Sequence, residues 1–235
     1  MEKQVDILIV GAGISGIGIA AHLTKNNPNR KFDIIERRAS FGGTWDLFKY
    51  PGIRSDSDMS TFGFNFKPWR KANVLADGES IKGYIGEVVD EYKLKDKIHF
   101  NHRVLAANYD SSTKKWHVQI EDANQKTQTW IANFVLGCTG YYNYDQGFQP
   151  DFPNQEAFKG QLIHPQFWPE NLDYAGKKVV IIGSGATAIT LVPAMAKGGA
   201  GNVTMLQRSP TYIASIPSID FVYDKTRKFM SEDLA

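Results

Sequence analysis

The sequence predicts an α/β fold of two parallel βαβ units in succession, with a small β-meander in the first and the second incomplete. Three observations predict it. An apolar run enters a glycine-rich turn at residues 5–16, and the same run and turn recur at residues 178–188. Between them, residues 98–132 fall into short segments of alternating polarity separated by turn residues. Parallel strands buried on both faces read as continuous apolar runs, whereas a sheet with one solvated face alternates.

The elements follow in order. Residues 5–10 are expected as a buried strand, 11–16 as a turn, and 17–25 as an apolar helix stopped near Pro28. Residues 31–36 supply the second strand, which closes a βαβ unit of the usual size of about 35 residues. Residues 41–69 are rich in Gly, Pro, Asp, Ser and aromatics without periodicity, and are expected as a long functional loop with one short helix. A helix is expected over 80–92, meander strands over 98–107, 116–121 and 127–132, and a separate buried strand over 134–138. Residues 141–175, rich in proline and aromatics, read as a connection between domains. A strand at 178–182, a turn at 183–188, a helix at 189–197 and a strand at 203–207 repeat the opening pattern, and 221–234 read as helical.

Composition narrows the partners. The chain has 235 residues, enough for one large or two small domains, and its 42% hydrophobic content supports a packed core. A net charge of +2 is too small to suggest nucleic acid or an acidic membrane as partner. With one cysteine, Cys138, no internal disulfide can form, which fits a reducing cytosol. Cys138 is expected as a small buried residue rather than a nucleophile. No basic leader precedes the first strand, and its apolar run stops at Gly11, short of a membrane span. A cytoplasmic protein with no integral membrane segment and no metal site is expected.

Gly11-Ala12-Gly13-Ile14-Ser15-Gly16 fits G-x-G-x-x-G, and Glu36 stands at the end of the following strand. The first glycine permits the tight turn, the second lets backbone approach a pyrophosphate, and the third lets helix pack on strand. The helix start presents free N–H groups to phosphate, and the acid can accept from ribose hydroxyls. Gly183-Ser184-Gly185-Ala186-Thr187-Ala188 is a second copy, followed by Arg208 where the first has an acid. An arginine there suits a 2′-phosphate, which favours NADP, unless Arg208 is an ordinary surface arginine. The chain is thus expected to contain two Rossmann-like dinucleotide-binding domains, FAD then NADP, as in an oxidoreductase that holds a flavin and a nicotinamide together.

The segment between the two turns is more specific. Phe158, Gly160, His164, Trp168 and Pro169 fit F-x-G-x-x-x-H-x-x-x-W-P. This resembles the signature of Baeyer–Villiger monooxygenases. Gly42-Gly43-Thr44-Trp45 and Tyr50-Pro51-Gly52-Ile53-Arg54-Ser55-Asp56 resemble that family's flavin-side loop, and Trp45-Asp46-Leu47-Phe48 with Ser55-Asp56-Ser57-Asp58-Met59 is similar to its ethionamide-monooxygenase-like subgroup. Cys138-Thr139-Gly140 is similar to its Ala-Thr-Gly hinge between domains.

The resemblance implies FAD and NADPH as cofactors, and insertion of one oxygen atom of O2 beside the carbonyl of a small ketone or onto sulfur. It implies an FAD-binding domain at residues 1–140 lacking its C-terminal return, a connection with the signature at 141–175, and a partial NADP-binding domain at 176–235. Gly11, Gly13, Ser15, Gly16 and Glu36 would meet FAD phosphate and ribose. Thr44 and Trp45 would line the flavin, Val104 at the end of a strand over 99–104 would meet the adenine side, and Gly140 would sit at the hinge. Asp56 would be the active-site acid that orients a catalytic arginine near the cofactor, with Arg54 beside the nicotinamide. Gly183, Ser184, Gly185, Thr187, Ala188, Gln207 and Arg208 would hold NADP. His164 would either pack or couple domain movement to cofactor binding, and Trp168 would pack.

Two other readings stand beside this one. An N- or S-oxygenating flavin monooxygenase shares Phe158, Gly160 and His164 but usually lacks the Trp168-Pro169 ending. A non-catalytic nucleotide-binding remnant fits a pattern that stops at Ala235, inside the second nucleotide fold. On the resemblance, the catalytic arginine and the rest of both domains lie beyond that point. These residues alone are therefore expected to bind FAD weakly and oxygenate ketones inefficiently.

Overall fold

The apolar run at the N-terminus becomes strand β1 (Lys3–Val10), which passes through the first glycine turn into helix α1 (Ile14–Asn26) and returns as β2 (Phe32–Ile35). The computed structural model describes residues 3–71, 73–215, 217–226 and 228–230. They form two compact units, Met1–Leu47 with Ile81–Gln146, and Phe48–Ser80 with Gly147–Ala235. Helix α1 starts inside the glycine turn rather than after it. Gly13, in extended conformation, is its N-cap, and its carbonyl accepts from the Ile17 N–H at 3.0 Å. Ile9, Ile34 and the helix residues Ile17, Ala20 and Ala21 are fully buried.

The expected long loop contains two single-turn helices, α2 (Thr44–Leu47) and α3 (Met59–Phe62). Helix α4 (Gly78–Glu91) follows. Four more strands complete the first sheet: β3 (Ile98–His99), β4 (Arg103–Asp110), β5 (Lys115–Glu121) and β6 (Thr127–Gly137).

The strand expected over 98–107 is two strands. Asn101 adopts a left-handed φ of 55°, and its N–H and that of His102 turn to the carbonyls of Arg38 and Glu36, each at 3.0 Å. The sheet order is β3-β2-β1-β6-β5-β4, so β3 and β4 lie at opposite ends of the order. In a flat sheet they would be five spacings apart, about 24 Å. The three residues joining them, four Cα steps from His99 to Arg103, reach about 14 Å. The sheet therefore folds over on itself, and the meander lies over the parallel strands. Val5, Leu8 and Ile35 of the parallel part pack with Val118, Ile120, Trp130 and Ala132 of β5 and β6 in one buried cluster.

The strands expected at 127–132 and 134–138 are one strand that changes partner. Strand β6 runs parallel to β1, from Lys3↔Trp130 to Val10↔Gly137, and antiparallel to β5, from Trp116↔Ala132 to Glu121↔Thr127. Asn133, which lies between the two expected strands, donates its Nδ2 to Asp6 Oδ1 at 3.2 Å and accepts from Lys115.

In the second unit, residues 147–177 carry two 3-10 turns, Gln155–Ala157 and Pro165–Phe167. Strands β7 (Lys178–Ile182) and β8 (Asn202–Leu206) pair in parallel around helix α5 (Ala186–Lys197). Helix α6 covers Phe221–Thr226 and residues 228–230 form a turn. The remainder of the helix expected to 234 lies outside the described residues. Among the described residues, no helix is long and apolar enough to cross a membrane.

Candidate cofactor-binding site

The first glycine turn is fixed by close backbone packing. Gly11 has φ +110°, and its N–H bonds the Ile35 carbonyl at 2.8 Å. A Cβ on Gly11 would overlap the carbonyl oxygen of Cys138, and one on Gly16 would overlap the carbonyl oxygen of Gly11. The Cys138 N–H in turn bonds Val10 O at 2.8 Å, so the end of β6 is seated against the turn.

Glu36 closes the turn from the other side. It is 6% exposed, and its Oε2 accepts from the Ala12 N–H at 2.8 Å while Oε1 accepts from the Arg38 N–H at 2.9 Å. A carboxylate oxygen has two lone pairs, so each retains capacity for a further donor.

A cleft of about 640 Å³ opens beside this turn, within the first unit. Gly11, Gly13, Ser15, Glu36, Thr44, Trp45, Val104 and Gly140 all line it. Gly16 does not line it but sets the helix against the turn. Val104 is the second residue of β4, not the end of a strand over 99–104. The pairing of β4 with β5 slips between Val104 and Ala106. The start of α1 has no side-chain cap and no acid in its first turn. Its leading N–H groups are therefore available to an anion. With a ribose-accepting acid beside them, these groups fit the pyrophosphate and ribose of an adenine dinucleotide.

Other groups at this cleft escaped the sequence reading. Arg37 forks onto the Asp145 carboxylate, with one bond at 3.2 Å, and Arg103 lies 3.9 Å from the same carboxylate. Arg37 and Arg38 sit 5.9 and 5.7 Å from the centre of the Tyr144 ring. The Arg37 hydrogen bond holds the Asp145 carboxyl below the usual carboxylate range. Burial, helped by the charge of Glu36, pushes the Tyr144 hydroxyl up. The basic pair directly after Glu36 was a visible signal, but its partner Asp145 is 108 residues away. Cys138 also lines the cleft and is half-buried rather than buried. Its thiol is pushed up by burial, which keeps it neutral and a poor nucleophile.

The second turn repeats the first. Gly183 has φ +126°, and its N–H bonds Leu206 O at 2.8 Å, as Gly11 does to Ile35. Gly185 caps α5 at φ −77°, ψ −177°, against −77°, −173° for Gly13 on α1. The Ile189 N–H bonds Gly185 O at 3.1 Å. Two differences follow from the neighbours: the space beside Gly183 is open, and the third position accepts the buried Ala188. Ser184 Oγ donates to Ser209 O at 3.1 Å, and Thr211 donates to Ser184 O at 2.6 Å. Thr187 lies in the first turn of α5, and Gln207 and Arg208 are exposed just past β8.

Arg54 and Asp56 lie in the second unit, both exposed, on either side of buried Ser55. Their backbone is held by Ser55 N–H to Ala76 O at 2.9 Å and Gly78 N–H to Ile53 O at 3.1 Å. The loop is seated on α5, because a Cβ on Gly52 would come within 2.5 Å of Thr190 O. His164 caps its 3-10 turn, accepting from the Gln166 N–H at 3.2 Å, and its ring packs on the Gly147 backbone.

Two glycine turns of one geometry, each at the carboxyl end of a parallel strand, define a dinucleotide-binding α/β protein. Residues 2–224 match the FMO-like family, described as flavin-binding monooxygenase-like, and the chain belongs to that family. It is 81% identical over its whole length to a probable FAD-binding monooxygenase AlmA of Acinetobacter baylyi, covering 47% of that protein. It is 56% identical to the FAD-containing monooxygenase EthA of Mycolicibacterium smegmatis, over 100% of this chain and 48% of that one. The chain therefore spans about half the length of the curated relatives it matches. Among solved structures, an oxidised steroid monooxygenase bound to NADP superposes with a TM-score of 0.80 at 27% identity, over 96% of this chain and 42% of that one.

Proposed function

We propose that this chain is the cofactor-binding part of an FAD- and NADPH-dependent Baeyer–Villiger-type monooxygenase that inserts one oxygen atom of O2 into a small ketone, or transfers it to sulfur. The observation that carries the reading is the repetition of one turn geometry with opposite charge beside it, Glu36 at the first turn and Arg208 at the second. FAD, when bound, supplies the redox and oxygen chemistry.

The chain's own residues bind and orient. Gly11, Gly13, Ser15 and Gly16 bring the start of α1 to the FAD pyrophosphate, and Glu36 accepts from its ribose. Thr44 and Trp45 flank the flavin, Val104 offers its backbone to the adenine side, and Gly140 frees the chain to leave the first domain. Gly183, Ser184, Gly185, Thr187 and Ala188 hold the NADP pyrophosphate in the same manner, and Gln207 and Arg208 meet the 2′-phosphate. Asp56 orients a catalytic arginine near the flavin, and Arg54 lies beside the nicotinamide. Residues 1–140 form the FAD-binding domain, 141–175 the connection with the signature, and 176–235 part of the NADP-binding domain. Trp168-Pro169 supports ketone oxygenation over amine oxygenation.

The test is a product assay with the purified full-length protein that contains this chain, with FAD and NADPH, on a cyclic ketone, an alkyl sulfide and a tertiary amine. Ester or lactone from the ketone, with NADPH preferred over NADH, is expected. Amine oxide as the sole product would overturn the reading.

A further inference from the structure

Glu36 and Asp46 are the two buried carboxylates among the described residues. Glu36 closes the first glycine turn, but Asp46 does not line the cleft. Arg38 Nη2 reaches Asp46 Oδ2 at 2.6 Å and its main-chain carbonyl at 3.2 Å, and Lys82 of α4 reaches Oδ1 at 2.5 Å. Burial alone would raise the Asp46 carboxyl, but the Lys82 hydrogen bond and the Arg38 charge together hold it below the ordinary range. A buried anion paired this way costs much desolvation and is weak evidence for a stabilising role. Its place in the hydrogen-bond pattern is more informative.

The bonds form a closed ring. The Ala12 N–H donates to Glu36 Oε2, and Glu36 Oε1 accepts from the Arg38 N–H. The Arg38 guanidinium donates to Asp46, on the single turn of helix that carries Thr44 and Trp45. The chain at the start of that helix returns to the glycine turn through Gly42 N–H to Ala12 O at 2.9 Å. Glu36 and the Thr44–Trp45 wall are thus two points on one ring, which Asp46 closes mainly through its carboxylate at 2.6 Å, with its main-chain carbonyl at 3.2 Å as a second acceptor.

We infer that Asp46 is a positioning residue for the flavin cofactor, fixing the spacing between Glu36 and the Thr44–Trp45 wall of the cleft. The inference rests on the reading of this cleft as the FAD site. Asp46 would touch no atom of FAD and would act through Arg38 and α2.

The experiment titrates FAD into the apo form of the full protein for wild type, Asp46→Asn and Asp33→Asn, recording affinity, the visible circular dichroism of bound flavin, and Tm. Asp33 has ion pairs in the same unit but does not line the cleft, so its variant reports a purely structural loss. Asp46→Asn is expected to weaken FAD binding by about tenfold or more and to alter the flavin dichroism, while Asp33→Asn lowers Tm and leaves both unchanged. Wild-type affinity and dichroism in Asp46→Asn, or the same loss in both variants, would overturn the inference alone. A wild-type protein that takes up no FAD would overturn the reading of the cleft and the inference with it. Should Asp46→Asn fail to fold, Arg38→Gln decides the matter. It breaks the ring at the guanidinium and keeps the backbone bond to Glu36.

Discussion

The backbone N–H of Ala12 donates to the Glu36 carboxylate at 2.8 Å, joining the first glycine turn to the chain just past β2. The acid expected to meet a ribose is therefore also a structural partner of the turn that would hold the phosphate. Glu36→Ala strands two donors, Ala12 N–H and Arg38 N–H. A buried unsatisfied donor costs about 1–3 kcal/mol, so a loss of roughly 2–6 kcal/mol in stability is expected with the loss of flavin retention. Glu36→Gln keeps one acceptor and should fall between. Chemical denaturation and the flavin content of the purified variants check both.

The two turns should respond differently to one substitution. Gly11→Ala meets the Cys138 carbonyl as well as an unfavourable φ, and is expected to prevent the first unit from folding. Gly183→Ala meets open space, so only its backbone conformation opposes it, at about 1–3 kcal/mol. Soluble yield and denaturation midpoints of the two variants compare them directly.

Both turns were legible because a buried parallel strand, a glycine turn and an apolar helix leave their mark within a few residues of one another. The break at Asn101 was not. No Gly or Pro interrupts residues 98–107, and the break is made by backbone bonds to Arg38 and Glu36, which are remote in sequence. The continuity of β6 was hidden for a similar reason. Asn133, in the gap between the two expected strands, finds its partners in Asp6 and Lys115, which are remote in sequence. At the cleft, the glycines, Glu36 and the Thr44–Trp45 segment could be read, while the Lys82–Asp46 and Arg37–Asp145 pairs span 36 and 108 residues and carry no local pattern.

Arg208 gives a prediction on cofactor choice. It is exposed and free to meet a 2′-phosphate. Arg208→Ala is expected to erase most of the preference for NADPH over NADH, a change of about 10- to 100-fold in kcat/KM for NADPH with little change for NADH. Equal use of the two nucleotides by the unmodified protein would remove the NADP assignment.

Acid sensitivity should trace partly to Asp33. Its Oδ2 meets Lys3 Nζ at 3.0 Å and its Oδ1 meets His99 Nε2 at 2.8 Å. Burial would raise its carboxyl, but the hydrogen bonds from His99 and Lys3 outweigh burial and hold it below the ordinary range. A carboxylate with a depressed folded pKa contributes fully above its unfolded value of about 3.9, and that contribution disappears as pH falls through the folded value. Asp33→Asn should therefore cost on the order of 1 kcal/mol at neutral pH and progressively less as the pH falls below about 3.9. Urea midpoints measured across that range test the sign.

Strand β6 has a consequence for how the first unit comes apart. Trp130, Ile131 and Ala132 pair with Lys3, Gln4 and Val5 on one side and with Val118, His117 and Trp116 on the other. These three residues belong to both ladders, so neither the parallel strands nor the meander can open while the other stays shut. Amide hydrogens along this stretch should exchange with solvent only when the whole unit unfolds. The same pairing delays assembly. Strand β1 has no neighbour on that flank until β6 has been made, which places closure of the sheet, and of the cleft beside it, after the meander strands have been synthesised.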